Sequence, residues 1–321
     1  MPQSHEIVYE KLVVVTRQTD LQGLIERFST RDRARFYIEH MNASFARYET
    51  ANDAQMRAME TLKAAIPDGV RVQYVDREFL PNFSFGPKDC AVTLGPDGLV
   101  INVAKYLDGQ PLVAFNPDPH LIDGVLVPFH IDQAAFVLQN VVQGNFAARI
   151  VSMAKAQLND GQVLYAVNDF FIGRRSHVSA RYAITLNKQS ENQSSSGIIV
   201  STGAGSTGWL KSVVMGAQKI ASAYKLEIAP ETSEEKIRFA WESGVLVFCV
   251  REPFVSKTSS AQLVHGRIEA GQTLEILSQM PQDGVIFSDG IEDDYLEFNS
   301  GAIAHIGLAE KKLHLVVSPF R

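Results

Sequence analysis

Apolar residues along this chain recur with two different periods, and the texture changes near residue 146. Lys11–Thr16 (KLVVVT) is a short β-branched run suited to a buried strand. Met56, Met59, Leu62 and Ile66 then step by three or four, the spacing of one helix face, with Asn52 as the predicted cap. Pro67-Asp68-Gly69 stops that helix, and Val70–Val75 alternates as a strand does. Strands are predicted again at Cys90–Leu94 and Leu112–Phe115, with a helix-length segment, Leu99–Leu107, between them. Asp132 is the expected cap of a further helix whose Ala134, Val137, Leu138 and Val141 share a face, and Gly144 ends it. Strand alternating with helix implies parallel strands with right-handed crossovers, hence a doubly wound α/β domain over residues 1–146.

Past that point short strand-like runs crowd together, at 147–156, 162–168, 179–187, 196–202, 245–250, 272–277, 283–288 and 301–308. Their density predicts a C-terminal β-sandwich-like domain over residues 147–308, with the segment 309–321 packing back on the first domain. One helix interrupts the strands, because Leu210, Val213, Val214 and Ala217 fall at i, i+3, i+4 and i+7. The polar stretch Asn187–Ser195 reads as an exposed connection.

Composition narrows the class without naming it. The chain has 321 residues, 45% of them hydrophobic, enough for about two domains with ample core. A net charge of −6 argues against holding nucleic acid through overall charge, and Arg174-Arg175 is the one basic doublet near the segments that carry chemistry. No apolar run reaches the roughly 18 residues of a membrane span, and the opening residues carry no secretory or transit pattern. Cys90 and Cys249 lie far apart in apolar runs, as buried free thiols of a reducing cytoplasm would.

Four segments hold candidate chemistry. In Leu94–Leu99 (LGPDGL), between a strand and a helix, Gly95 and Gly98 let backbone approach a phosphate and Asp97 places a carboxylate in the cradle. A plain Pro-Asp-Gly surface turn has the same composition. Asn168 and Asp169 stand together in Val167–Ile172; neighbours on a strand face opposite ways, so both reach one group only where the strand ends. There they suit ribose hydroxyls, although an Asn-Asp pair also terminates strands. Ser196–Trp209 (SGIIVSTGAGSTGW) runs from strand through glycine loop to helix. Gly203, Gly205 and Gly208 leave the backbone uncovered, and Ser206 and Thr207 offer hydroxyls. Last, Asp289 ends an apolar strand ahead of Glu292-Asp293-Asp294, a pattern shared with solvated hairpin tips. Metal-ligand histidine spacing, a GxxxxGK[ST] loop, HExxH and GxSxG are all missing.

In this order the four segments resemble the NAD kinase family, whose GGDG loop corresponds to Gly95-Pro96-Asp97-Gly98 and whose Asn-Glu pair corresponds to Asn168-Asp169. The family's Gly-Ser-Thr loop is similar to Gly205-Ser206-Thr207, and its late strand-end Asp matches Asp289. The likeness extends over nearly the whole chain and is greatest to the mitochondrial-type branch. It is carried there by FNPDP at 115–119, SARYAI at 179–184, SSSGIIVSTGAGST at 194–207, REPF at 251–254 and LEFNSGAIA at 296–304.

The resemblance implies transfer of the ATP γ-phosphoryl group to the adenosine-ribose 2′-hydroxyl of NAD, giving NADP, with Mg²⁺. It implies Asp97 as catalytic base and Gly95 and Gly98 as the phosphate loop. Asn168, Asp169, Gly205, Ser206, Thr207, Gly208 and Asp289, with Gly98, would hold NAD; no residue is expected as a dedicated metal ligand. It further implies a cytoplasmic homodimer with no nucleic-acid or membrane partner. Three departures stand against the pattern: Pro96 for a glycine, Leu99 for a threonine, and Asp169 one methylene shorter than Glu. They keep a second reading open, a non-catalytic NAD-binding regulatory homologue without productive ATP binding. A lipid or sugar kinase is a third, weaker reading.

Overall fold

The computed structural model describes residues 8–226 and 237–318. The chain divides into two compact units, one of Met1–Arg149 with His314–Arg321 and one of Ile150–Leu313. Of the segment expected to return to the first domain, residues 319–321 lie outside the described residues, as do residues 1–7 of the opening stretch.

The first unit is built on parallel strands β1 (Lys11–Thr16), β2 (Arg71–Asp76), β3 (Asp89–Leu94) and β4 (Pro111–Asn116), in the order β2-β1-β3-β4. A short β5 (Phe129–His130) pairs with the end of β4, and His314 and Leu315 pair in parallel with Pro111 and Leu112. Every residue of β3 and β4 is buried, as expected of a parallel sheet covered on both faces. Around the sheet lie α1 (Asp20–Phe28), α2 (Arg31–His40), α3 (Ala46–Ala64), α4 (Asp97–Ala104) and α5 (Ala134–Val142). Ala58 and Leu62 of α3 and Val137, Leu138 and Val141 of α5 share a core with Leu12, Val14 and Val92. The doubly wound expectation holds.

Several element limits differ from expectation for local reasons. The third helix starts at Ala46, so Asn52 lies inside it, where its Oδ1 accepts from the Thr19 hydroxyl at 2.8 Å. A 3₁₀ turn, Ile131–Gln133, leads into α5, and Asp132 sits in that turn and is no cap. The segment after β3 is helical over Asp97–Ala104, earlier and shorter than Leu99–Leu107. Helices α1 and α2 were not expected at all. Their caps are local: Thr19 Oγ1 accepts from the Gln22 amide at 3.2 Å while Gln22 Oε1 accepts from the Thr19 amide at 2.9 Å.

The second unit is almost all β. After β6 (Ala147–Leu158) come β7 (Val163–Ala166), β8 (Asp169–Arg174), β9 (Ala180–Leu186), β10 (Gln189–Ser195) and β11 (Ile198–Ser201). The helix α6 (Trp209–Ala223) precedes β12 (Val245–Val250), β13 (His265–Glu269), β14 (Leu274–Ser278), β15 (Gly284–Ser288), β16 (Ile291–Glu297) and β17 (Ile303–Val317). An antiparallel sheet runs β13-β12-β11-β8-β15-β16, and β10-β9-β14-β17 forms a second antiparallel run. Alternate residues of the first sheet, including Phe170, Ile172, Ile198, Val200 and Phe248, share one core with Tyr182, Ile184, Ile276 and Ile306 of the second. That is the sandwich the strand density predicts.

Asn187–Ser195 is a correction. Asn187 and Lys188 form a tight turn at φ 50° and 69°, and β10 pairs along its length with β9. Its polar side chains are used inward: the Tyr182 hydroxyl lies 3.0 Å from Gln193 Oε1 and 2.7 Å from Ser195 Oγ, all three buried. Polarity here marks a buried hydrogen-bond set, which compensates for the missing apolar surface.

Candidate functional site

The Gly95–Gly98 turn leaves β3 at its carboxyl end, and the Gly95 amide donates to the Phe115 carbonyl at 3.1 Å. Pro96 is the N-cap of α4, with φ −75° and ψ 170°, and Asp97 is its first residue. Proline therefore occupies a position where its ring fits the backbone, at the loss of one amide donor. Leu99, in place of threonine, is 2% exposed, and its Cδ2 would lie only 3.3 Å from a Cβ on Gly95. It seals the turn from beneath, while Gly98 is exposed with open space around it.

Both oxygens of Asp97 are engaged. Oδ1 accepts from the Leu126 amide at 2.9 Å and Oδ2 from the Val125 amide at 3.0 Å. The carboxylate thus ties down the loop after β4, and each oxygen keeps a further lone pair for a proton donor. That loop is also braced from within, since Asn116 Nδ2 donates to the Ile122 carbonyl at 2.9 Å.

In the second unit β8 begins at Asp169, so Asn168 lies just outside the strand, at the strand end the adjacent pair requires. Asp289, at φ 57° after β15, folds its carboxylate over this turn. Its Oδ1 accepts from the Asn168 amide at 2.7 Å and the Asp169 amide at 3.2 Å, and its Oδ2 from the Val167 amide at 3.0 Å. Three converging amides hold an anion as a backbone nest does. Glu292 and Asp294, read as a hairpin tip, lie on β16.

The glycine loop is packed more tightly than its sequence suggests. A Cβ on Gly205 would come within 2.2 Å of the Asn168 carbonyl oxygen, and one on Gly203 within 2.0 Å of the Ala240 carbonyl oxygen. Those glycines are small because the chain itself crosses them, which corrects the expectation of three uncovered residues. Ser206 is buried, and its hydroxyl donates to the Gly203 carbonyl at 2.7 Å. Thr207 and Gly208 are exposed at the start of α6. The structure therefore brings Asn168, Asp169, Asp289 and Gly205–Ser206 together through backbone contacts.

Asp169 lines a pocket of about 440 Å³ with Arg174, Arg175, His177, Trp209 and Arg251. The residue is 8% exposed, and its carboxyl group accepts no hydrogen bond from the described residues. Burial, with the neighbouring Asp289 charge second, pushes its pKa up to about 7. The pocket floor is aromatic: the Phe171 ring stacks with Trp209 at 5.7 Å and with Phe287 at 6.3 Å between centroids. Gly173 and Gly197 make room for Phe171, since a Cβ on either would come within 2.7 Å of its ring. Arg251 lies 5.5 Å from the Trp209 ring and Arg175 4.2 Å from the Tyr295 ring, so the platform has cations at both ends. An aromatic floor, arginines and an unpaired acid suit a phosphorylated nucleoside. Sequence reading noted Arg174-Arg175 but missed Phe171 of β8, Trp209 of α6, Arg251 just after β12 and Phe287 of β15, which are far apart along the chain.

No protein-family model matches the chain. Over 124 residues it is 29% identical to the NAD kinase of Chlorobaculum tepidum, a match that spans 38% of this chain and 43% of that protein. Its fold is similar to that of yeast NADH kinase, solved with NADH, at TM-score 0.53 and 14% identity over 96% of this chain and 83% of that one. It is similar also to an NAD kinase from Archaeoglobus fulgidus, solved with ATP, at TM-score 0.55 and 16% identity over 96% and 94%. The fold is that of the NAD kinases, an α/β unit followed by a β unit. One stretch of its sequence, over less than half of either chain, is similar to an NAD kinase as well. Among the described residues no helix is long and apolar enough to cross a membrane.

Proposed function

We propose that the protein is an ATP-dependent NAD kinase, acting on the adenosine-ribose 2′-hydroxyl of NAD to give NADP. The observation that carries this reading is Asp169: a buried carboxyl with no hydrogen-bond donor among the described residues, lining an aromatic pocket edged by arginines. A ribose hydroxyl or a base amine supplies the missing hydrogen bond, and the arginines meet phosphate charge. Asp289 keeps Asn168 and Asp169 in place through the backbone, and the exposed Thr207 and Gly208 offer further contacts at the start of α6.

In the first unit Asp97 takes the role of base. The 2′-oxygen forms a bond to the γ-phosphorus, the bond to the β,γ-bridging oxygen breaks, ADP leaves, and the hydroxyl proton passes to the Asp97 carboxylate. Its anchoring by the Val125 and Leu126 amides fixes the direction from which it accepts. Gly98, exposed with open space around it, leaves the turn open to donor phosphates, whereas Gly95 is buried with its amide already donated to the Phe115 carbonyl.

Among the described residues no three His, Cys, Asp or Glu side chains converge to cage a metal. Mg²⁺ belongs to the same proposal, with no residue of this chain assigned to hold it. When bound, the ion neutralises phosphate charge. A homodimer and a cytoplasmic setting belong to the same proposal.

The test is NADP formation from NAD, ATP and Mg²⁺ by the purified protein, with Asp97→Asn as control. Product that vanishes in the variant supports the reading. No product from protein that binds NAD by calorimetry overturns it in favour of the non-catalytic relative.

A further inference from the structure

One buried side chain shapes the loop that grips Asp97. Asn116 is the last residue of β4 and only 5% exposed. Its two polar ends reach different parts of the loop: Oδ1 accepts from the Asp118 amide at 3.0 Å, and Nδ2 donates to the Ile122 carbonyl at 2.9 Å. With both bonds made, the amide group has one orientation, and the chain from 118 to 122 is folded back on the strand end. Asp118 completes that fold. Its carboxylate accepts from the His120 amide at 2.9 Å and its carbonyl from the Ile122 amide at 3.0 Å.

Beyond Ile122 the chain turns at Gly124, whose φ of 60° is a left-handed conformation that favours glycine. A Cβ there would stand 3.1 Å from Asn116 Nδ2, so the asparagine also limits how closely the turn approaches the strand. The next two amides, Val125 and Leu126, are the pair that donate to the Asp97 carboxylate. Side chain, loop and carboxylate thus form one series: Asn116 holds Ile122, Ile122 leads into the Gly124 turn, and the turn aims the two donors. None of residues 117–125 is buried, so hydrogen bonds more than core packing give this stretch its shape. Two amides on one carboxylate settle which lone pairs remain for an incoming proton.

We infer that Asn116 is a positioning residue, which aims the Asp97 carboxylate through the loop it braces. It acts at a distance from the transferred phosphoryl group, being itself nearly sealed from solvent. The inference rests on the kinase reading, and the experiment separates the two.

Asn116→Ala removes both bonds. Asn116→Ser keeps a side-chain oxygen for the Asp118 amide, as serine turns do, and loses the Ile122 bond alone, so it carries the test if the alanine variant does not fold. NADP formation by the full chain is measured for each variant, alone and combined with Asp97→Asn, together with hydrogen exchange at Val125 and Leu126. A misaimed base is expected to lower kcat by roughly 10–100-fold, with KM for NAD and ATP within about twofold of wild type. Exchange at the two amides is expected to rise. In the Asp97→Asn background the Asn116 variants are expected to cost nothing further, because the group they aim is already gone. Wild-type kcat in the folded variants, or losses that multiply with Asp97→Asn, overturns the inference. A wild type that forms no NADP sinks the kinase reading; faster exchange at Val125 and Leu126 in Asn116→Ser then still supports the aiming of Asp97, and wild-type exchange overturns it.

Discussion

Asp169 and Asp289 are bonded to one another through their backbones in both directions. Asp289 Oδ1 accepts from the Asp169 amide at 3.2 Å, and the Asp289 amide donates to the Asp169 carbonyl at 2.9 Å. One acid builds the turn that presents the other. The cost is electrostatic, because the carboxylate that organises the turn sits beside a second, buried carboxyl.

That cost predicts a pH dependence of stability. The Asp169 carboxyl is pushed up to about 7 from its ordinary 3.8. A raised folded-state pKa means the folded protein holds a proton that the unfolded chain has lost. The stabilising contribution is therefore full below about pH 4 and falls as pH rises through 7. Asp169→Asn removes the titration. The variant is expected to match wild type near pH 4 and to exceed it at pH 8 by on the order of 2 kcal/mol in urea denaturation. Equal differences at both pH values would remove Asp169 as the source.

Asp289→Ala tests the nest from the other side. It strips acceptors from the amides of Val167, Asn168 and Asp169 and leaves them at a partly buried turn. A loss of about 3 kcal/mol is expected, with NAD affinity falling as the turn loosens. Asp289→Asn keeps one accepting oxygen and tolerates the left-handed backbone, so it is expected to lose less. The ordering of the two variants by denaturant midpoint and by NAD calorimetry is the check; reversed order contradicts the nest.

Much of this was legible in the residues, for reasons that differ by segment. The central strands of the α/β unit are apolar on both faces, so Lys11–Thr16 and Cys90–Leu94 announce themselves. Helix α1 went unread although Thr19 and Gln22 stand at capping-box spacing, because its apolar face is narrow and only Leu21 is fully buried. Strand β10 was not legible, because a strand stabilised by Tyr182, Gln193 and Ser195 carries no alternating apolar signal. At the site, Asp97, Asp169 and Asp289 stood out as acids at strand ends. What Ser206 and Gly205 do was hidden, since packing against Asn168 and Gly203 is a tertiary fact. The Phe171–Trp209–Phe287 floor was hidden for the same reason.

In the proposed reaction Asp97 carries a double load, as base and as anchor of the loop after β4, and Asp97→Asn should separate its parts. The amide group presents an N–H₂ toward one of two backbone donors, so one of the Val125 and Leu126 bonds is lost. Turnover is expected to fall by roughly 10²–10⁴-fold through loss of the base, with NAD binding largely kept. Hydrogen exchange at Val125 and Leu126 should rise together with the kinetic defect. Unchanged exchange in an inactive variant would confine the residue to chemistry; raised exchange with full activity would confine it to the loop.

The two departures in the phosphate turn make opposite predictions, which permits a clean separation. Pro96 holds an N-cap position with no amide to offer, and glycine there restores a backbone donor at the start of the helix. Pro96→Gly is expected to lower the KM for ATP several-fold, at a stability cost of about 1 kcal/mol from the freer unfolded chain. Leu99 is instead part of the core beneath Gly95. Leu99→Thr buries a hydroxyl and removes apolar contact, so it should destabilise by about 2–3 kcal/mol and leave ATP affinity no better. Steady-state kinetics with denaturation curves on both single variants decide the matter. If Pro96→Gly leaves the KM unchanged, the ring costs nothing in donor binding, and proline is simply a compatible start for this helix.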